Sequence, residues 1–127
     1  MRKILLSAIG LLIFLAGCTN VVKDEKFIFE EKEFKSVYED VNDKNLPTNV
    51  KYYPELISMQ NGNKDDAINF LNATAELLES KEISRLSESV ESNEDNIPDS
   101  INGEGFSVGY YNEHDVYDIY IRPFETE

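Results

Sequence analysis

A chain of 127 residues with twelve basic and twenty-five acidic side chains has the length of one modest domain and a charge opposed to polyanions. Affinity for phosphates needs a basic face, so nucleic acid is not an expected partner. One cysteine and one histidine leave nothing from which to build a disulfide framework and too few ligands for a zinc site.

In chain order, Arg2 and Lys3 precede an apolar run from Ile4 to Ala16 that closes on small residues, the three-part pattern of a secretory signal. A membrane span takes about 20 apolar residues to cross about 30 Å of hydrocarbon. At about 1.5 Å per residue the run covers only about two thirds of that, so a permanent span is not expected. Leu15-Ala16-Gly17-Cys18 resembles a bacterial lipobox. The resemblance covers residues 1–18 and implies cleavage between Gly17 and Cys18, with a diacylglyceryl thioether on Cys18. It places residues 18–127 on the extracytoplasmic side of a cell membrane, lipid-anchored to the bilayer. One acyl chain binds membranes marginally, whereas two on one residue make a stable anchor. Two of the twelve bases and none of the acids lie in residues 1–17, which leaves ten bases against twenty-five acids and a formal charge of −15 on residues 18–127. An anionic membrane surface repels such a domain, though screening confines the effect to about 8 Å.

Residues 18–26 show no period and read as a flexible tether from Cys18, followed by a single acidic domain over residues 27–124. Lys26-Phe27-Ile28-Phe29-Glu30 has the aromatic content of a short first strand. Phe34, Val37, Tyr38 and Val41 then fall at i, i+3, i+4 and i+7, one stripe of a helix over 31–41. Glu30, Glu31 and Glu33 suit the positive end of its dipole, and the turn-rich residues 42–47 end it. Residues 50–60 support two readings. Val50-Lys51-Tyr52-Tyr53 has strand composition, while Pro54 could open a short helix through Leu56, Ile57 and Met59. Asn63 is a good N-cap, with Asp65 and Asp66 in the first turn. Ile68, Leu71, Ala75 and Leu78 make the buried stripe of the longest helix, widened by Phe70 and Leu77. Ile83, Leu86 and Val90 keep a similar spacing, so that helix either continues or restarts after Ser80. Residues 91–105, acidic and carrying Pro98, Gly103 and Gly105, read as a loop. Its Asp99 to Glu104 stretch lacks the alternate-residue ligand order of an EF-hand, and no metal site is expected.

The C-terminal element is the best specified. Phe106, Val108 and Tyr110 alternate with polar or small residues, and so do Tyr117, Ile119 and Ile121 beyond Asn112-Glu113-His114-Asp115. With those four central residues as the loop, 110 faces 117, 108 faces 119 and 106 faces 121, and the large side chains share one face. The fold class is therefore α+β: a small antiparallel sheet including a C-terminal hairpin, with two or three helices packed on one face.

No catalytic constellation emerges. His114, flanked by Glu113 and Asp115, has no motif-marked partner, and there is no Gly-x-Ser-x-Gly elbow for a nucleophile. Carboxylates are too abundant for any pair to mark a glycosidase, so an enzyme is not expected, nor is a cofactor. The Asn72-Ala73-Thr74 sequon lies inside the long helix and is discounted. Tyr111 and Tyr120 fall on the outer face of the hairpin, where exposed tyrosines supply rigid contact area. They are the candidate ligand-binding residues. With an acidic surround they could hold a cationic peptide, in the manner of a sequestering or immunity lipoprotein. The chain resembles lantibiotic-immunity lipoproteins in general plan, being small, acidic and lipidated. The alternatives are an accessory or structural envelope protein docking onto another membrane protein and, behind it, a cell-wall enzyme.

Overall fold

The elements run β1 (Val22–Lys23), β2 (Lys26–Phe27), α1 (Glu31–Asn42), β3 (Val50–Tyr53), β4 (Leu56–Gly62), α2 (Lys64–Leu78), α3 (Lys81–Glu91), β5 (Ser100–Gly103), β6 (Phe106–Glu113) and β7 (Val116–Pro123) in the computed structural model, which describes residues 21–124. β1 and β2 form a small hairpin of their own, and the other strands form one antiparallel sheet in the order β3-β4-β7-β6-β5. This is an α+β fold with the helices on one face of the large sheet. Alternation decides which face. Val50, Tyr52, Ile57, Met59, Val108, Tyr110, Ile119 and Ile121 are buried on one side, while Lys51, Tyr53, Gln60, Tyr111 and Arg122 look outward on the other.

Each helix begins where the sequence offers a cap. Asn63 Oδ1 accepts from the Asp66 amide at 2.8 Å, and the Asn63 amide donates to Asp66 Oδ2 at 3.0 Å. That reciprocal pair satisfies two amides that the helix itself leaves unpaired. The Glu30 amide likewise donates to Glu33 Oε1 at 2.8 Å ahead of α1. The long apolar pattern is two helices, not one. Glu79 turns left-handed at φ 50°, and Ser80 Oγ then accepts from the Ile83 amide to start α3. α2 rests against β4 and β7, with α1 and α3 packed beside it. Phe34, Phe70, Leu71, Ile57, Met59, Ile119 and Ile121 are sealed between the layers, each burial contributing about 1.5–3 kcal/mol. The Phe34 ring stacks on Tyr52 at 5.4 Å, and the Tyr52 hydroxyl donates to the Phe29 carbonyl at 2.6 Å.

One open reading is settled and three expectations are corrected. Residues 50–60 are strand throughout except for the two-residue turn Pro54-Glu55, because Ile57 and Met59 face Ile121 and Ile119 across the sheet. The loop expected over 91–105 contains β5, paired with β6 from Ser100↔Gly109 to Gly103↔Phe106. The expected tether is shorter than 18–26. From Val21 onward the chain is folded, and Val22 is buried beside Gly105. Lastly, the C-terminal hairpin is displaced by two residues from the expected register. Tyr110 faces Ile119, Val108 faces Ile121 and Phe106 faces Pro123. The turn is only His114-Asp115, both left-handed at φ 55° and 64°, as a type I′ turn requires. A shift of two keeps every side chain on its own face, so the core survives the correction.

The two ends of the sheet differ. At one end lie the Pro54-Glu55 and Glu104-Gly105 turns, with the β1–β2 hairpin against them. The Phe27 amide donates to the Pro54 carbonyl at 2.8 Å, and the Phe124 amide donates to the Gly105 carbonyl at 2.9 Å. At the other end lie Gly62 and the His114-Asp115 turn. The eight residues of β6 separate the ends by about 26 Å.

Candidate functional site

The helices cover one face of the sheet, and the other face stays open. Its most distinctive feature forms around Gly109. Gly109 faces Tyr120 across the hairpin, and Tyr111 lies two residues on along the same face. Lacking a Cβ, Gly109 lets the Tyr111 ring lie back over the strand; a Cβ there would stand 3.3 Å from the ring. Tyr111 and Tyr120 meet edge to face with centroids 6.2 Å apart, a favoured aromatic geometry. Tyr111 remains 52% exposed. Tyr120 is half-buried, and its hydroxyl accepts from Gln60 Nε2 at 3.0 Å.

Toward the His114-Asp115 turn, the neighbours of the pair are acidic or neutral. Asp118 faces Tyr111, and Glu113 faces Val116; Val116 is exposed. The Asp118 carboxylate accepts from the Asn61 amide at 2.9 Å, which fixes it at the irregularity where β4 and β7 change register. No lysine or arginine occurs between Ser107 and Ile121. The cations on this face flank Tyr120: Arg122 lies two residues on along β7, and Lys51 shares the row of Tyr120 across Ser58. Beneath the pair, on the core side, Tyr110 and Tyr117 lean together with centroids 6.2 Å apart. Burial raises the pKa of both hydroxyls, and hydrogen bonding to Asn112 works against that rise. The aromatic platform therefore has a neutral floor, an acidic rim on the side of the turn, and Arg122 and Lys51 on the side of Tyr120.

Tyr111 and Tyr120, the candidate binding residues, are thus brought together on the outer face. Gln60, Asp118 and Val116 join them, and of these only the alternation of β7 could have marked Asp118 and Val116. Gly17 and Cys18 lie outside the described residues. His114 stands exposed at the hairpin tip, about 26 Å along the strand from the tether end. Among the described residues, no group of three His, Cys, Asp or Glu side chains could hold a metal ion. Asp99 to Glu104 cannot wrap a cation as a loop, because Ser100 to Gly103 are extended in β5. Asn72 of the sequon accepts from Ser87 Oγ at 2.7 Å and ties α2 to α3. A shallow groove of about 440 Å³ is lined by Val41, Ala75, Glu76, Glu79, Ser80 and Lys81, among others. No helix among the described residues is long and apolar enough to cross a membrane.

The fold and this surface define an α+β domain with an open aromatic sheet face. No protein-family model, curated protein or solved structure matches the chain.

Proposed function

We propose that this chain is a bacterial lipoprotein, anchored through Cys18 on the extracytoplasmic side of the cell membrane. In this reading it binds its ligand rather than transforming it, and the ligand is a cationic, amphipathic peptide held in sequestering, immunity-type fashion. The observation that carries the reading is the Tyr111–Tyr120 pair, with Tyr111 exposed and Asp118 and Glu113 rimming it on the side of the turn. Aromatic rings supply contact area and cation–π attraction for Lys or Arg. Carboxylates at the rim steer a positive partner and set its orientation. The charge of −15 on residues 18–127 adds a long-range attraction that salt screens.

Titration calorimetry with cationic amphipathic peptides at low and high salt tests the ligand. Binding is expected to weaken with salt, and Tyr111→Ala to lower affinity by about tenfold, equal to about 1.4 kcal/mol. Peptide binding that is absent, or indifferent to both salt and Tyr111, overturns this reading. The anchor is tested separately, by the mass of the native N-terminus: a diacylglyceryl-modified Cys18 supports it, and a bare Cys18 thiol refutes it.

A further inference from the structure

The end of the domain where the described chain begins carries two large apolar side chains that no other described residue covers. Ile28 is 48% exposed and Tyr53 is 57% exposed. They stand close together. The Phe27 amide donates to the Pro54 carbonyl at 2.8 Å, and the Ile28 amide donates to the Val21 carbonyl at 3.0 Å. Val21 is the third residue after Cys18, so the path from lipid attachment to Ile28's own hydrogen-bond partner is at most about 11 Å. An acylated Cys18 would therefore keep this end of the domain within reach of the bilayer surface.

We propose that the Ile28–Tyr53 end is a membrane-docking surface, seated in the interface of the bilayer that holds the anchor. This inference rests on the lipidated-Cys18 reading and adds an orientation to it. Tyrosine suits the place, since an apolar ring with a polar tip is favoured at the headgroup boundary, and isoleucine adds apolar area to bury beside it. Local charge permits the approach. Lys26 Nζ lies 3.7 Å from Glu55, and Lys32 Nζ lies 3.8 Å from Glu30, so two of the acids at this end carry a cation beside them. The His114-Asp115 turn then points outward, and Tyr111, near that turn, faces the medium and not the lipid.

The chain contains no tryptophan, so Ile28→Trp, Tyr53→Trp and Val116→Trp are single, background-free reporters at exposed positions. Each variant, in the form the cell makes, is reconstituted into phosphatidylcholine–phosphatidylglycerol vesicles with and without brominated acyl chains. A second preparation couples the full chain through Cys18 to a maleimide lipid, which supplies the tether whether or not the cell acylates it. Emission from positions 28 and 53 is expected to shift blue and to be quenched by the brominated lipid in both preparations, and emission from position 116 to stay unchanged. Unshifted reporters at 28 and 53 on coupled vesicles overturn the docking, as does an equal shift at 116. A bare Cys18 thiol in the native protein overturns it by a separate route, by removing the anchor on which it rests.

Discussion

The His114-Asp115 turn offers a measurable test of the register on which the outer face depends. Both residues are left-handed, at φ 55° and 64°, and neither is the glycine or asparagine such a turn prefers. Left-handed backbone costs an ordinary residue about 1–2 kcal/mol. Glycine escapes that cost but gains about 0.4–1 kcal/mol of unfolded-state freedom. Asp115→Gly should therefore stabilise the domain by about 0.5–1 kcal/mol, raising Tm by roughly 2–8 °C for a domain of this size. Thermal and urea unfolding followed by circular dichroism would read the change. Asp115→Ala, which cannot relieve the strain, should give no gain. A nuclear Overhauser contact between the α protons of Tyr110 and Ile119 would report the register directly. If Asp115→Gly lowers Tm, and Tyr110 contacts Tyr117 through its α proton instead, the turn is the wider four-residue loop. The Tyr111–Asp118 juxtaposition is then lost, and with it the acidic rim of the site.

Other perturbations probe the core and its pH dependence. At Gly103 an added Cβ would stand 2.2 Å from the buried Phe106 ring, so Gly103→Ala should cost about 1–3 kcal/mol in urea unfolding. Gly109→Ala meets only the exposed Tyr111 ring at 3.3 Å and should stay within about 0.5 kcal/mol, while displacing that ring and weakening peptide binding. Burial, helped by Asp66 near Tyr38 and by Glu33 near Tyr52, pushes both hydroxyls from 10.0 up to about 12. A raised phenol pKa means the folded state keeps a proton the unfolded state has lost. Stability should thus be level with respect to these two groups below pH 10 and decline between pH 10 and 12, by about 1.4 kcal/mol per unit for each. Tyr52→Phe should flatten that decline, while costing about 1 kcal/mol at neutral pH for the lost bond to Phe29.

Much of the fold was legible because its elements obey local periods. The stripe Phe34-Val37-Tyr38 and the cap at Asn63 need no distant partner to declare themselves, and both stand where the sequence places them. What local pattern could not reveal was decided by partners far along the chain. β4 is a strand, not a helix opened by Pro54, because Ile57 meets Ile121 sixty-four residues later. β5, Ser-Ile-Asn-Gly, has almost no strand composition and exists because β6 offers it an edge. The hairpin's faces were readable from alternation, but its register depended on His-Asp adopting a conformation that those residues seldom choose. The same division holds at the site. Alternation put Tyr111 and Tyr120 outside, whereas their contact over Gly109, and the service of Gln60 and Asp118 beside them, arise only when β4, β6 and β7 are assembled.

Tyr111 lies about 13 Å along the strands from the row of Tyr53 at the tether end, and that separation has a consequence for how the molecule works on a surface. With about 11 Å of chain between Cys18 and Val21, docking of Ile28 and Tyr53 is intramolecular once the lipid is inserted, and its effective concentration is high. A flexible insert of about 20 Gly-Ser residues between Asn20 and Val21 would have an r.m.s. span of about 25 Å. The docking end would then sample a volume many times larger, and reporters at positions 28 and 53 should lose most of their blue shift. Peptide affinity measured at Tyr111 should not change, because that surface never faced the lipid. If lengthening the tether alters peptide affinity as strongly as it alters the reporters, the ligand surface and the bilayer contact are one and the same. The orientation deduced from the Val21–Ile28 and Phe27–Pro54 hydrogen bonds would then be reversed.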